Sequence, residues 1–275
     1  MSKASLISLD NINLNLIVSL YNQVYSDYYF NIYYDKVSLK KYLKSLPVNL
    51  KLSQIIKFED KYVGLAIVSV VNGAAWISSF GVIKKYRKLG LGEKLLMSIL
   101  SQLKNQGVKS VGLEVLDYNL PAIGLYKKHG FKLISKLTSL EGVIKSIDVN
   151  PLKIKEVSTQ EALCYLEDDR TYVWSRRKHS IMKKDIKWLG LLNKGKISCI
   201  MGYDLDESII VKRIQLINDD VSTLAFLFEA LSKQNKFNRK FYLLNFSDGE
   251  KDIIDTAKKY GLTEFLKQNL LFLEF

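Results

Sequence analysis

Val82-Ile83-Lys84-Lys85-Tyr86-Arg87-Lys88-Leu89-Gly90-Leu91-Gly92 runs without a break into Glu93-Lys94-Leu95-Leu96-Met97-Ser98-Ile99-Leu100. The pattern predicts an apolar strand (75–83), a tight basic turn holding two glycines, then an amphipathic helix. A turn that enters a helix in this way leaves several backbone N–H groups without partners, at the positive end of the helix dipole. Such a place receives anions. Gly90 and Gly92 remove the Cβ atoms that would hold a phosphate away from the backbone, and Lys84, Lys85, Arg87 and Lys88 add positive charge. The stretch reads as a cradle for a pyrophosphate; a glycine-rich connection without a ligand is the alternative. The three glycines of a nicotinamide fingerprint and the Gly-Lys-Ser/Thr of a P-loop are both missing.

Around this turn the chain alternates in period. Helical spacing covers 13–25 and 38–46, the latter with Ser38 as cap. Strands are expected at 6–9, 52–58, 62–71 and 75–83, with tight turns at Glu59-Asp60 and Asn72-Gly73. A helix over 90–106, a strand over 111–116, a helix over 120–129 ended by Gly130, and a strand pair at 131–137 and 143–149 follow. Helices interleaved with strands in this order make an α/β (α+β) mixed sheet covered by helices. Asp148-Val149-Asn150-Pro151 interrupts the pattern, so the expected domains are 1–150 and 151–275.

After the break the cycle repeats. Strands are expected at 152–157, 188–193, 197–203, 208–217, 240–246 and 270–275, and helices at 159–168 (capped by Ser158), 221–234 and 251–260. Tyr126-Lys127-Lys128-His129-Gly130-Phe131 is echoed by Ala257-Lys258-Lys259-Tyr260-Gly261-Leu262, offset by 131 residues. At the same offset Asn218, Val221 and Thr223 replace Arg87, Gly90 and Gly92, and Ala257 replaces Tyr126, so the second copy lacks the basic glycine turn.

Composition bounds the rest. The 275 residues are 48% apolar, and no apolar run nears the ~20 residues of a bilayer span. Met1-Ser2-Lys3-Ala4-Ser5 leads straight into a strand without the apolar stretch of a signal peptide, and Cys164 and Cys199 read as buried thiols without metal-type spacing. Both features predict a cytoplasmic protein with no metal. Of the net charge of +13, residues 1–150 carry 20 Lys/Arg against 10 Asp/Glu, so the excess lies with the turn and suits an anionic ligand. The lysines are scattered, which tells against nucleic acid; heat adaptation or codon bias also produces such lysine richness.

Arg-x-x-Gly-x-Gly (Arg87, Lys88, Leu89, Gly90, Leu91, Gly92), five residues after Val82, resembles the acetyl-CoA turn of the GNAT (Gcn5-related) N-acetyltransferases. Leu113-Glu114-Val115-Leu116-Asp117-Tyr118-Asn119, running on through Ala122, Leu125, Tyr126, Gly130 and Phe131, matches the family's second signature at every named position. The resemblance implies a GNAT fold in two tandem copies, the second degenerate. It further implies acetyl-CoA as the cofactor and an amine of a small molecule or a peptide as the acceptor. The pyrophosphate would be held at Arg87 to Glu93, the pantetheine arm at Gly81, Val82 and Asn119, and Tyr126 would be the general acid. Gly81-Val82 suggests a strand bulge there. Glu114 is a candidate general base, with Asp117 or water as alternatives. Without the resemblance, Asn119 reads as a helix cap, Tyr126 as a core aromatic and Glu114 as a strand residue. His129 reads as a helix C-terminal residue, and Arg176-Arg177-Lys178-His179 as a solvated or acidic-partner surface. The six aromatics of Tyr25-Ser26-Asp27-Tyr28-Tyr29-Phe30-Asn31-Ile32-Tyr33-Tyr34 read as an acceptor cleft or a docking surface for the second copy. A CoA-binding sensor or scaffold without turnover is the rival function, and the oligomeric state stays open.

Overall fold

A computed structural model describes residues 4–144, 153–182, 185–217, 221–234 and 239–275. They form two compact units. The first comprises Met1–Leu113, Pro121–Lys132 and Leu271–Phe275; the second comprises Glu114–Leu120 and Leu133–Leu270.

The first unit begins β1 (Ser5–Ser8), α1 (Leu14–Tyr25), α2 (Lys36–Ser45), β2 (Gln54–Phe58), β3 (Lys61–Val71) and β4 (Ala74–Val82). It continues with α3 (Leu91–Asn105), β5 (Ser110–Leu116) and α4 (Leu120–Lys128), the last two shared with the second unit. β1 to β4 pair antiparallel in order, and β5 joins β4 in parallel. Both expected hairpins are present. Glu59 and Asp60 have φ of 46° and 63°, and Asn72 and Gly73 have 50° and 75°, the left-handed pair that a two-residue hairpin requires. α1 and α3 both pack on β3. Val63, Leu65, Ala66, Ile67 and Val68 are therefore all buried, and the strand reads as one apolar run rather than an alternation. α2 is capped by Asp35, not Ser38. Asp35 accepts from the Ser38 N–H while Ser38 Oγ accepts from the Asp35 N–H, a reciprocal capping box.

The second unit repeats the order: β7 (Lys153–Val157), α5 (Thr159–Tyr165), the one-turn α6 (Lys178–Ile181), β8 (Lys187–Asn193), β9 (Lys196–Leu205) and β10 (Ile209–Leu216). α7 (Leu224–Gln234), β11 (Phe241–Ser247), α8 (Lys251–Lys259) and β12 (Thr263–Glu274) follow. β7 to β10 pair antiparallel and β11 joins β10 in parallel, as in the first unit. One face of these strands is covered by α7 and α8, through Leu227, Phe228, Ile253 and Ala257. Ala162, Leu166, Ile181 and Trp188 form the cluster on the α5 side.

The units do not part at a single point between 150 and 151. After α4, β6 (Lys132–Gly142) covers the first expected strand, 131–137, and runs on to Gly142; of the second, 143–149, residues 145–149 lie outside the described residues. β6 does not complete the first unit; it pairs antiparallel with β11, from Leu137↔Ser247 to Gly142↔Phe241. In return the last five residues of the chain belong to the first unit. There Phe272 packs edge-on against Trp76 with ring centroids 5.6 Å apart, and the Phe275 N–H donates to Lys109 O at 3.1 Å. Each half of the sequence thus finishes the unit of the other. Two further expectations change. Cys164 is exposed and only Cys199 is buried, its thiol pushed up to about 12 by burial.

Candidate active site

β4 ends at Val82, a one-turn 3-10 segment (Lys84–Tyr86) follows, and α3 starts at Leu91. The link between them is braced by Arg87. Its Nε donates to Val82 O at 2.8 Å, and its two terminal nitrogens grip both oxygens of Asp27 at 2.8 and 2.6 Å. The hydrogen bonds from Arg87 hold the Asp27 carboxyl below the usual carboxylate range. Arg87 is therefore a strut for the turn, with its charge matched by Asp27, while Lys84, Lys85 and Lys88 are exposed. Lys88 and Gly90 have φ of 64° and 73°, which turns the chain sharply enough to start the helix. The first intrahelical bond runs from the Lys94 N–H to Gly90 O at 3.0 Å, so the N–H groups of Leu91, Gly92 and Glu93 face out of the helix end.

The two glycines differ. Gly90 is demanded by its left-handed φ, although a Cβ there would meet open space. Gly92 is not demanded by the fold. Its φ lies outside the left-handed region, and a Cβ would find ordinary contacts at 3.8 Å (Val82), 3.9 Å (Leu125) and 4.0 Å (Phe80). A glycine in a helix costs up to about 1 kcal/mol relative to alanine, and what Gly92 keeps open is the space between the end of β4 and α4. The cradle thus fits a phosphate-bearing ligand with a narrow arm. Glu93, the one acid of this turn, is neutralised: Lys128 Nζ lies 2.6 Å and His129 Nε2 3.0 Å from its Oε1, and these bonds hold it below the usual range. His129 also donates its backbone N–H to Tyr126 O at the end of α4, so it ties the helix end to α3.

Behind the turn, Tyr126 is 5% exposed, packed between Phe80 (ring centroids 5.9 Å apart) and Phe131 (5.5 Å). Burial pushes its hydroxyl pKa far above the ordinary value, and the neighbouring Tyr25 and Tyr28 push in the same direction. Tyr126 is thus a neutral proton donor at any physiological pH. The bulge in β4 lies earlier than Gly81-Val82. Val68 faces Ile77 and Ile67 faces Ser79, which leaves Ser78 as the extra residue, while Leu65↔Gly81 and Gly64↔Val82 pair regularly. Gly81 instead serves packing, since a Cβ there would sit 2.5 Å from Val24 Cγ1 of α1.

The bulge turns Ser79 and Phe80 towards the aromatic segment. The Phe80 N–H donates to Tyr25 Oη at 3.1 Å, and Ser79 Oγ lies 3.3 Å from Tyr21 Oη and 3.1 Å from Tyr42 Oη. Tyr21 stacks on Tyr25 (4.6 Å) and Tyr34 on Tyr42 (5.3 Å), whereas Tyr29, Phe30 and Tyr33 are 54%, 45% and 72% exposed. The segment is half wall and half open rim. Of its contacts only the aromatic content was legible. Asp27 is 60 residues from Arg87, and nothing in the local sequence joins them.

Glu114 and Asn119 lie on the piece Glu114–Leu120, which belongs to the second unit. Glu114 is half-buried on β5, and Asn119 directly precedes α4, its N–H donating to Leu116 O at 3.0 Å. The parallel ladder of β4 and β5 runs only from Ala74↔Ser110 to Trp76↔Gly112 and stops before either residue. Arg176-Arg177-Lys178-His179 is not a solvated surface: Arg176 is 3% exposed and ion-paired with Glu250 at 2.6 Å, and burial lowers the Arg177 pKa against the opposing pull of Asp168, Asp169 and Glu114. Asn218-Asp219-Asp220 lies outside the described residues.

Known proteins resemble the chain in part and over its whole length. The Acetyltransferase (GNAT) family matches residues 15–131. The [Ribosomal protein bS18]-alanine N-acetyltransferase of Salmonella typhimurium is 34% identical over 84 residues, 30% of this chain and 54% of that protein. The N-alpha-acetyltransferase of Sulfurisphaera tokodaii is 42% identical over 62 residues, 22% of this chain and 37% of that one. The chain thus spans about half or less of the length of these curated relatives. Among solved structures, a tandem GNAT protein from the clavulanic acid biosynthesis pathway superposes with a TM-score of 0.71 at 9% identity, over 99% of this chain and 98% of that one. That likeness is one of fold alone. Residues 15–131 thus match the GNAT family, and over its whole length the chain is similar in fold to that tandem protein.

Proposed function

We propose that the protein transfers the acetyl group of acetyl-CoA to an amine, directly and within a ternary complex. The observation that carries this reading is the Arg87–Gly92 turn, where three outward N–H groups, exposed lysines and a glycine that the fold does not require meet at one helix end. Lys88, Leu89, Gly90, Leu91, Gly92 and Glu93 would hold the pyrophosphate through their backbone, with Arg87 as the strut. Gly81, Val82 and Asn119 would receive the pantetheine arm. When bound, acetyl-CoA supplies an activated acyl group. Tyr126 would give its proton to the leaving sulfur, and burial keeps that hydroxyl protonated beforehand. Glu114 would accept the proton of the incoming ammonium, with Asp117 or water as the other candidates. Neither cysteine lies in the first half, so a covalent acyl-enzyme there has no thiol to form on.

The acceptor would enter past Tyr29, Phe30 and Tyr33. A protein alanine, the substrate that the ribosomal relative's name carries, a peptide N-terminus and small amines are all compatible with that rim. None of the described helices is long and apolar enough to cross a membrane. Free-thiol release from acetyl-CoA, measured against a panel of amines and N-terminal peptides, tests the reading. Acceptor-dependent release supports it. Binding of acetyl-CoA with no release against any acceptor favours the sensor or scaffold alternative.

A further inference from the structure

The second unit keeps the framework of the cofactor site and fills it with its own chain. Its parallel ladder also has three pairs, Ile209↔Phe241 to Val211↔Leu243, and then stops. Its fourth strand also bulges, with Val211 facing Tyr203 and Arg213 facing Gly202, so that Lys212 is the extra residue, as Ser78 is in β4. Two strands that pair briefly and then part leave a wedge between them. In this unit a side chain stands in that wedge. Arg176 Nε donates to Lys212 O on β10 at 3.1 Å, and its Nη1 donates to Asn245 O on β11 at 2.9 Å. The same guanidinium forms a two-pronged pair with Glu250 at 2.8 and 2.6 Å and lies 3.6 Å from the centroid of Phe246. Four of its five N–H donors are engaged in these bonds.

The partner is informative. Glu250 stands 131 residues after Asn119, the same offset that relates Ala257 to Tyr126 and Gly261 to Gly130. Glu250 is itself tied down as the third residue of a capping box, accepting from Ser247 N–H at 2.9 Å. Arg213, fully buried, backs Arg176. Its Cζ lies 3.4 Å from the Tyr172 ring centroid, and it donates to Arg176 O at 3.1 Å, to Gln215 Oε1 at 3.2 Å and to Glu167 O. Arg176 and Tyr172 come from the segment between α5 and α6, which in chain order corresponds to the acceptor segment between α1 and α2.

We infer that the second unit is a self-plugged copy of the site: Arg176, locked by Glu250 and backed by Arg213, occupies the wedge that the proposed function gives to the cofactor arm in the first unit. The chain therefore takes one CoA, not two. A buried pair of this kind stabilises only while both partners remain, because either one alone is a buried, unmatched charge. The inference rests on the proposed function for the identity of the ligand, not for the plug itself. Calorimetric titration of the full chain with CoA should give one site per chain, and none in Gly90→Glu. Two sites in the parent, or one site surviving in Gly90→Glu, would overturn the plug. Urea unfolding supplies a second readout that needs no ligand. Arg176→Met should lower the midpoint sharply, and Arg176→Met/Glu250→Gln should recover most of the loss. If Arg176→Met unfolds like the parent, the plug is refuted. A parent that binds no CoA but shows this recovery refutes the cofactor reading of the first turn and leaves the plug standing.

Discussion

Replacing Gly92 with alanine should make the protein more stable and a worse CoA binder. The two effects have separate causes at one atom. The new methyl would lie 3.8 Å from Val82 Cγ2, 3.9 Å from Leu125 Cδ2 and 4.0 Å from Phe80 Cε1, all ordinary contacts, and the residue needs no left-handed φ. Nothing has to move. In a helix interior alanine is worth about 0.5–1 kcal/mol over glycine, and near the first turn the gain should be about 0.5 kcal/mol. The same methyl projects into the space between β4 and α4, beside outward N–H groups. Losing one charge-assisted bond to a phosphate costs about 1.5–3 kcal/mol, or about ten- to a hundredfold in Kd. Urea unfolding gives the first number and calorimetry with CoA the second. Gly90→Ala should behave differently, losing about 1–2 kcal/mol of stability because a φ of 73° is costly for a residue with a Cβ. An unchanged Kd for Gly92→Ala would refute the claim that the ligand, rather than the fold, requires this glycine.

Tyr126→Phe keeps the packing against Phe80 and Phe131 and removes one proton. Steady-state turnover should fall about a hundredfold or more while the Kd for CoA, by calorimetry, stays near the parent's. Phe272→Ala should cost the first unit about 3–5 kcal/mol by urea unfolding, since Phe272 is 7% exposed against Trp76. A chain ending at 150 lacks this strand end and should unfold more readily still. The buried tyrosines predict an alkaline weakness. Tyr21, Tyr25, Tyr34 and Tyr126 all have pKa values raised above the ordinary tyrosine value, with burial as the largest cause. Below about pH 10 both states are protonated and nothing changes; above it the unfolded chain ionises first, so stability should fall as pH rises. Urea midpoints from about pH 9 to about pH 11 check this, with no decline as the contrary result.

Local chemistry was legible and distant chemistry was not. Asn72-Gly73 declared its hairpin because only a left-handed pair makes that turn. Gly90 and Gly130 declared the start and end of helices for the same reason. β6 runs on past the strand end expected at 137, an end expected because its polar residues resemble a turn. Ser135 is held by Asp248 at 2.5 Å, and Ser139 exchanges bonds with Asn245, partners more than a hundred residues away. The Arg176–Glu250 pair hid in the same way, and the run Arg176-Arg177-Lys178-His179 resembles a solvated patch because charge without its partner always does. The strand exchange that ends the chain in the first unit could not be read either, because an apolar strand does not announce which sheet it will join. The offset of 131 residues was the one long-range signal in the sequence, and extended from Tyr126 to Asn119 it leads directly to Glu250.

The central claim is that the first unit turns over acetyl-CoA rather than only binding it. The direct measurement is acceptor-dependent release of free thiol from acetyl-CoA by the full chain, with the acetylated amine identified by mass. The account predicts one thiol per acetylated amine, lost in Gly90→Glu and much slowed in Tyr126→Phe. One CoA bound per chain, with no thiol released against any amine or peptide terminus, would contradict it.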